Sequence, residues 1–173
     1  MVTASTRGFG QKWFLALALC LAILHAGTGV AEDRFVDNGD GTVTDASTRL
    51  MWAHTDNMGD INWHDAKLYC ENFILGPYTD WRMPTIEELE TLFDDGFQRR
   101  ETVCGKKVRS APQIELSCGF VWSSQVHSVS ERYPIEAEAF SYTKGYRFSV
   151  RKSQFRGYRA LPVRGGGAGG AGP

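Results

Sequence analysis

The sequence has few of the residues from which catalytic and metal sites are built. It contains only four histidines and four cysteines. His54, His64 and His127 are too far apart in the sequence to supply the closely spaced ligand pairs of a zinc site. Ser123 and Ser124 lack the glycine-flanked elbow of serine hydrolases. We therefore predict no catalytic residues, no metal and no cofactor, and we expect that the chain is not an enzyme.

The sequence also lacks an apolar run long enough to remain in a membrane. The run at residues 13–24 is about twelve residues long, whereas a spanning helix needs roughly 20. It follows a basic start and precedes a pattern of small residues that ends at Ala31, which predicts a secretory signal peptide over residues 1–31. The alternatives are an uncleaved anchor and a lipoprotein acylated at Cys20. We expect an exported protein, periplasmic or extracellular, with no stable membrane span after cleavage.

The end of the chain lacks side chains that could build a core. Residues 165–173 are glycine, alanine and proline, which predicts a flexible tail. Residues 32–164 then form a single domain, because their number lies in the usual range for one hydrophobic core.

The chain has no overall excess of positive or negative charge, because its formal net charge is -1. Residues 32–98 nevertheless carry fifteen acidic and four basic side chains, and residues 99–164 carry five acidic and thirteen basic ones. This asymmetry predicts either an anion-binding face or two halves that attract each other on folding, and the sequence leaves both open. No nucleic-acid-binding motif is present, so nucleic acid is not an expected partner.

Helix and strand signals are plentiful. A glycine-rich turn within residues 35–45 predicts a hairpin. Asn62, followed by apolar residues at spacings of three and four, predicts a helix, and the Thr85 and Glu88 pair is a capping box that predicts a second. Further strands are predicted at residues 50–53, 121–124, 137–142, 147–151 and 159–164. The predicted fold class is α+β, with two helices and a twisted antiparallel sheet.

Basic and aromatic side chains cluster near the strand predicted at residues 147–151. Phe148 and Val150 alternate there with two arginines, which predicts a basic face opposite an apolar one. Guanidinium groups suit sulfate and carboxylate, and tyrosines stack on sugar rings. The candidate ligand-binding residues are Arg147, Arg151, Lys152, Arg156, Tyr146 and Tyr158. The alternative is a solvated basic face that balances the acidic first half.

Several motifs in the same order resemble the Lcl C-terminal domain family. They are residues 35–45, 48–52, 63–72, 80–85, 121–124 and 161–166. The resemblance assigns structural motif roles to Trp52, Trp81, Arg82, Pro84, Trp122 and Ser123. It implies a C-type-lectin-like fold in an exported protein, similar to the C-terminal domain of a collagen-like adhesin that binds sulfated polysaccharides. The implied partner is a sulfated or acidic polysaccharide, or an exported protein.

The resemblance bears on the three cysteines that follow the signal peptide. Residues 97–119 are polar and irregular, and we predict a long loop that a disulfide between Cys104 and Cys118 would tie. In many family members Cys70 pairs with a cysteine in the final strand, and that partner is absent here. Three single pairings exist, and we favour Cys104 with Cys118 because they bracket one loop. Cys70 is then a buried thiol, with an intermolecular bridge as the alternative.

Two related functions are disfavoured by residues that the chain lacks. Arg82 to Thr85 is similar to a motif in formylglycine-generating enzymes, which use a late pair of active-site cysteines, and no cysteine follows Cys118. The sugar-binding signatures of calcium-dependent lectins are also missing. We therefore expect a non-catalytic binding module. An oxidoreductase of the formylglycine-generating type and a structural cell-envelope protein are the alternatives.

Overall fold

The computed structural model describes residues 34–127 and 135–165 of the chain. The predicted signal peptide, residues 1–31, and the predicted tail beyond Gly165 lie outside the described residues. In chain order the elements are β1 (Phe35–Asp37), β2 (Thr42–Asp45), β3 (Leu50–Ala53), α1 (Trp63–Glu71), α2 (Ile86–Thr91), β4 (Arg100–Glu101), β5 (Lys107–Val108), β6 (Phe120–His127), β7 (Glu136–Ser141), β8 (Tyr146–Arg151), β9 (Tyr158–Arg159) and β10 (Val163–Gly165). Two helices among short strands confirm the predicted α+β class. Of the described helices, none is long and apolar enough to cross a membrane.

The first sheet contains the first and the last strand of the described chain, at its two edges. Its strand order is β1-β2-β3-β10, and all neighbours are antiparallel. The predicted hairpin forms, with Gly39 and Gly41 at φ of 74° and 85° in its turn, where a side chain would be strained. Gly165, predicted to begin the tail, instead lies opposite Leu50 as the last residue of β10.

The second sheet has the order β8-β7-β6-β9, in which β9 runs parallel to β6 and the other pairs are antiparallel. The prediction of one antiparallel sheet is therefore wrong in the number of sheets and in the direction of one pair. The strand predicted at residues 159–164 divides because the chain crosses between the sheets at Pro162. The carbonyl of Pro162 accepts a hydrogen bond from Ala53, while its nitrogen has no hydrogen to donate.

The two helices cover opposite faces of the second sheet. α1 begins at Asn62, whose side chain accepts a hydrogen bond from the backbone N–H of Asp65, and it packs in the cluster that contains Trp122. α2 begins at the predicted capping box and packs in the cluster that contains Val121. Val121 and Trp122 are neighbours in β6, so their side chains point to opposite faces. Cys70 on α1 is a buried free thiol, as predicted.

The segment at residues 97–119 is not the irregular loop that we predicted. β4 and β5 pair as a short antiparallel hairpin within it, and the predicted disulfide between Cys104 and Cys118 is confirmed. Val108 and Ile114 from this segment are fully buried in the main core. Single apolar residues in a polar sequence show no periodicity, which explains why their burial was not visible in the sequence.

Candidate functional site

The predicted arginine face is present on β8, but its arginines are not all free to bind a ligand. Arg147 and Arg151 project from the exposed face of β8, and Phe148 and Val150 are partly buried on the other face, as the alternation predicts. The guanidinium of Arg147, however, lies 3.2 Å from a carboxylate oxygen of Glu87 and 3.0 Å from one of Glu90, both on α2. The charge of Arg147 is therefore already balanced within the domain.

Two of the six candidate residues are corrected, because they lie in the interior. Lys152 is buried, with its ammonium 4.2 Å above the ring of Trp63, and burial lowers the pKa of Lys152. Tyr158 is buried and stacks on Trp122 with ring centroids 4.5 Å apart. Lys152 follows Val150 by two residues, so the same alternation that gives the arginine face places Lys152 on the opposite, partly buried face.

Other arginines of the second half also pair with acids of the first half. Arg159 is almost completely buried, and its guanidinium lies 2.7 Å from a carboxylate oxygen of Asp60. This contact lowers the pKa of Asp60. The remaining pairs are Arg109 with Asp95 and Arg164 with Asp80. For these side chains the charge asymmetry reflects attraction between the two halves, the second of the two predicted meanings.

A row of aromatic rings crosses the second sheet from the core to the surface. The centroid distances are 4.5 Å from Trp122 to Tyr158, 5.2 Å from Tyr158 to Phe120, 5.4 Å from Phe120 to Phe148 and 5.8 Å from Phe148 to Tyr146. Trp122 is fully buried, Phe120 and Phe148 are partly buried, and Tyr146 is 48% exposed. We call Phe120, Phe148 and Tyr146 the aromatic platform.

Three connections converge beside this platform, at Gly119. The backbone N–H of Phe120 donates to the carbonyl of Gly157 in the β8–β9 turn. A Cβ at Gly119 would lie 2.6 Å from Thr143 Oγ1 in the β7–β8 turn and 3.8 Å from the side chain of Lys106 after β4. A side chain at position 119 would collide with Thr143, so glycine allows the β7–β8 turn to approach this closely, whereas the distance to Lys106 is ordinary contact.

Each of these connections carries an exposed cation near the platform. They are Lys106, Lys144 in the β7–β8 turn, and Arg156 before Gly157. Within the described parts of the chain, no carboxylate oxygen lies within 4.0 Å of these three cationic groups. We call Lys106, Lys144 and Arg156 the basic rim. The structure thus brings the predicted Tyr146 and Arg156 to one end of the sheet.

The patterns in the sequence do not indicate four residues of the site, Lys106, Lys144, Phe120 and Phe148. Lys144 could have been found, because it lies in a predicted hairpin connection two residues before Tyr146. Lys106 could not, because its place depends on how the disulfide-tied segment folds.

The predicted structural motif residues lie mostly in the interior of the domain. Trp52, Trp81, Pro84, Trp122 and Ser123 are buried. The Oγ of Ser123 donates to a carbonyl of β7, and the indole N–H of Trp122 donates to the carbonyl of Ile61. Arg82 binds both carboxylate oxygens of Glu88 and so ties the motif to the start of α2.

The described histidines lie apart from one another. His127 Nε2 is 2.6 Å from Glu138, and His54 Nε2 is 3.7 Å from Glu115. Across residues 34–127 and 135–165, no three His, Cys, Asp or Glu side chains are grouped closely enough to hold a metal ion.

Comparison with known proteins gives one result for most of the chain. The model of the family described as the Lcl C-terminal domain matches residues 41–164, from the turn before β2 to β10. The match includes the whole aromatic platform and basic rim. A search of curated proteins finds no match.

Proposed function

The chain belongs to the Lcl C-terminal domain family, whose match indicates an exported domain, and we propose that this domain is a non-catalytic module that binds anionic polysaccharides. The observation that carries the proposal is the aromatic platform of Phe120, Phe148 and Tyr146 beside three exposed cations, none of which lies within 4.0 Å of a carboxylate of the described residues. The oxidising environment outside the cytoplasm suits the disulfide that fixes one of these cations.

The chemistry of the platform fits a charged sugar chain. Aromatic rings offer apolar faces on which the C–H faces of sugar rings stack, and partly exposed rings keep such a surface available. Lysine and arginine attract sulfate and carboxylate groups, and Arg156 can bind them through two parallel hydrogen bonds. The basic rim therefore supplies attraction to the charges of the polymer, while the platform supplies contact with its rings.

We also propose a C-type-lectin-like arrangement for the domain. Three features support it. The first and last described strands belong to one sheet, two helices flank the second sheet, and a disulfide ties the long segment between α2 and β6. In this arrangement the aromatic platform lies at one end of the second sheet, where three connections meet.

A binding role is favoured over an oxidoreductase of the formylglycine-generating type by the state of the cysteines. Cys104 and Cys118 are joined, and Cys70 is buried on α1. Burial raises the pKa of the Cys70 thiol far above its usual value, which disfavours the reactive thiolate.

Retention on immobilised heparin, a sulfated polysaccharide, tests the proposal. The variant Lys106→Ala/Lys144→Ala/Arg156→Ala is expected to elute at lower salt than the parent chain. The slope of log Kd against log salt should fall by on the order of one for each cation removed. Lys107→Ala/Arg49→Ala/Arg99→Ala is the matched control, because it removes the same charge from exposed positions outside the rim that have no carboxylate within 4.0 Å among the described residues. Equal losses in both variants would show that binding follows net charge alone.

The variant Tyr146→Ala tests the platform separately from the charges. Loss of one exposed aromatic face should weaken binding by about 0.5–1.5 kcal/mol, while the salt slope stays unchanged because no charge is lost. Phe155→Ala is the control, since Phe155 is also half-exposed but does not belong to the platform. A chain that neither heparin nor an acidic polysaccharide retains would favour the structural cell-envelope alternative.

A further inference from the structure

A cleft lies between the loop that follows β3 and the β4–β5 hairpin. Its volume is about 240 Å³, and its lining includes Met58, Arg100, Glu101, Val103 and Glu115. The buried side chains of Val108 and Leu116 form an apolar floor, next to Ser117. A space of this size holds one long amino-acid side chain.

Both lips of the cleft expose apolar side chains. Met58 is 57% exposed on one lip, and Val103 is 80% exposed on the other. Single exposed apolar residues are common on protein surfaces, but these two face one cleft with an apolar floor. Methionine at such a position adapts to a partner, and it is enriched at protein interfaces.

Both lips are also held rigidly by one residue of the floor, Ser117. The buried carboxylate of Asp56 accepts hydrogen bonds from the backbone N–H of Met58 and from the N–H and hydroxyl of Ser117, each at 2.7 Å. On the other lip, the N–H of Cys104, next to Val103, donates to the carbonyl of Ser117. The lips are therefore preformed, which reduces the entropy that binding would cost.

The backbone of Met58 is strained, because its φ is 57° in a residue other than glycine. A residue in this region persists only where its surroundings fix it, and such residues cluster at functional sites. Here the surroundings are Asp56 and the neighbouring Asn57, whose side chain binds the backbone of Gly59 and Ala160. The strained backbone thus holds the apolar side chain of Met58 at the surface of the domain.

The charges of the cleft indicate the chemistry of its occupant. Arg100 also lines the cleft and its charge interacts with Glu115, but the hydrogen bonds of its guanidinium go to Ser110 Oγ and to the carbonyls of three neighbouring residues. Glu101 and Glu115 are exposed at the mouth. Lys107 lies opposite Glu101 in the hairpin, but it is not among the described residues that line the cleft. An apolar stem with a cationic end matches this arrangement.

We propose that this cleft is a docking site for a protein partner, which inserts a lysine or arginine side chain between Met58 and Val103. The aliphatic stem of the inserted side chain contacts the lips and the apolar floor, and its charged end meets the carboxylates of Glu101 and Glu115. The site uses none of the residues of the basic rim, although it shares the β4–β5 hairpin with Lys106, and it takes a ligand of the opposite charge.

NMR of the chain labelled with ¹³C in the methionine methyl groups tests this proposal. Met58 is exposed, whereas Met83 is buried and serves as an internal reference. The probes are Nα-acetyl-lysine amide, Nα-acetyl-arginine amide and, as the uncharged analogue of the same stem, Nα-acetyl-norleucine amide. A saturable shift of the Met58 methyl signal is expected for both cationic probes, with a Kd on the order of 1 mM for ligands of this size.

The norleucine probe is expected to bind at least tenfold more weakly than the lysine probe. The variant Glu101→Gln/Glu115→Gln keeps the shape of the cleft and should remove most of this difference. Glu71→Gln/Glu136→Gln, at positions outside the cleft, is the matched control and should leave it intact. The proposal is overturned if neither cationic probe shifts Met58, if norleucine amide binds equally well, or if the Glu101→Gln/Glu115→Gln variant binds the lysine probe as tightly as the parent does.

Discussion

Lys144 and Arg147 lie three residues apart, yet the structure uses their charges differently. Arg147 faces α2 and is paired with Glu87 and Glu90, whereas Lys144 is exposed in the β7–β8 turn as part of the basic rim. Arg159 and Arg156 repeat this contrast, because only Arg159 contacts a carboxylate within the described residues. Tertiary structure thus separates the cations that hold the domain together from those available to a ligand.

The largest expected effect comes from the covalent tie that fixes Lys106 in the rim. The variant Cys104→Ala/Cys118→Ala opens a loop with a sequence separation of 14 and should lower the free energy of unfolding by about 3 kcal/mol. Urea unfolding measures this loss, and heparin retention should fall as well because the hairpin that carries Lys106 has strands of only two residues. Unchanged stability would mean that the hairpin is held by its core residue Val108 alone.

A second test compares Arg159 with Arg156. Arg159→Ala removes a buried guanidinium that binds Asp60 and Ser117, and it should lower the free energy of unfolding by about 2 kcal/mol. Arg156→Ala should change it by less than about 0.5 kcal/mol and instead weaken heparin binding. Thermal unfolding and heparin retention of the two variants show which arginine stabilises the domain and which binds the ligand. If Arg156→Ala is the more destabilising change, the separation of structural from ligand-binding cations is wrong.

The ion pair between Asp45 and Arg34 should also make the stability of the fold depend on pH. Burial raises the pKa of Asp45, but hydrogen bonds from Arg34, Ser47 and Thr48 outweigh this effect and lower the pKa from 3.8 to about 2. A carboxyl group whose pKa is lower in the folded state than in the unfolded chain stabilises the fold at pH values above its pKa in the unfolded chain. This contribution, about 1–2 kcal/mol, should be lost as the pH falls from about 4 to about 2.

The measurement is the pH dependence of urea unfolding, with Asp45→Asn as the variant. The variant should be less stable than the parent at neutral pH, and the difference should shrink as the pH approaches 2. A difference that stays constant would show that packing, rather than the ion pair with Arg34, causes the loss.

Local signals in the sequence gave the helices, because capping and apolar spacing act within one turn. Asn62 and the Thr85–Glu88 pair begin α1 and α2 as predicted. The arginine face was only partly right, since strand alternation gives the side on which Arg147 lies but not that α2 places acids against it. The platform depends on contacts between distant strands, such as Phe120 with Phe148, and these have no local signal.

The smallest expected effect is the most direct test of the comparison between Lys144 and Arg147. Arg147→Ala removes an exposed ion pair and should lower the free energy of unfolding by no more than about 1 kcal/mol. Its effect on the salt slope of heparin binding should also be small, whereas Lys144→Ala should lower that slope by about one. Glu87→Gln/Glu90→Gln, which keeps Arg147 but removes its partners, should tighten heparin binding because it frees the charge of Arg147 and removes two negative charges. If Arg147→Ala weakens binding as much as Lys144→Ala does, pairing with α2 does not withhold Arg147 from the ligand, and the binding surface extends along β8.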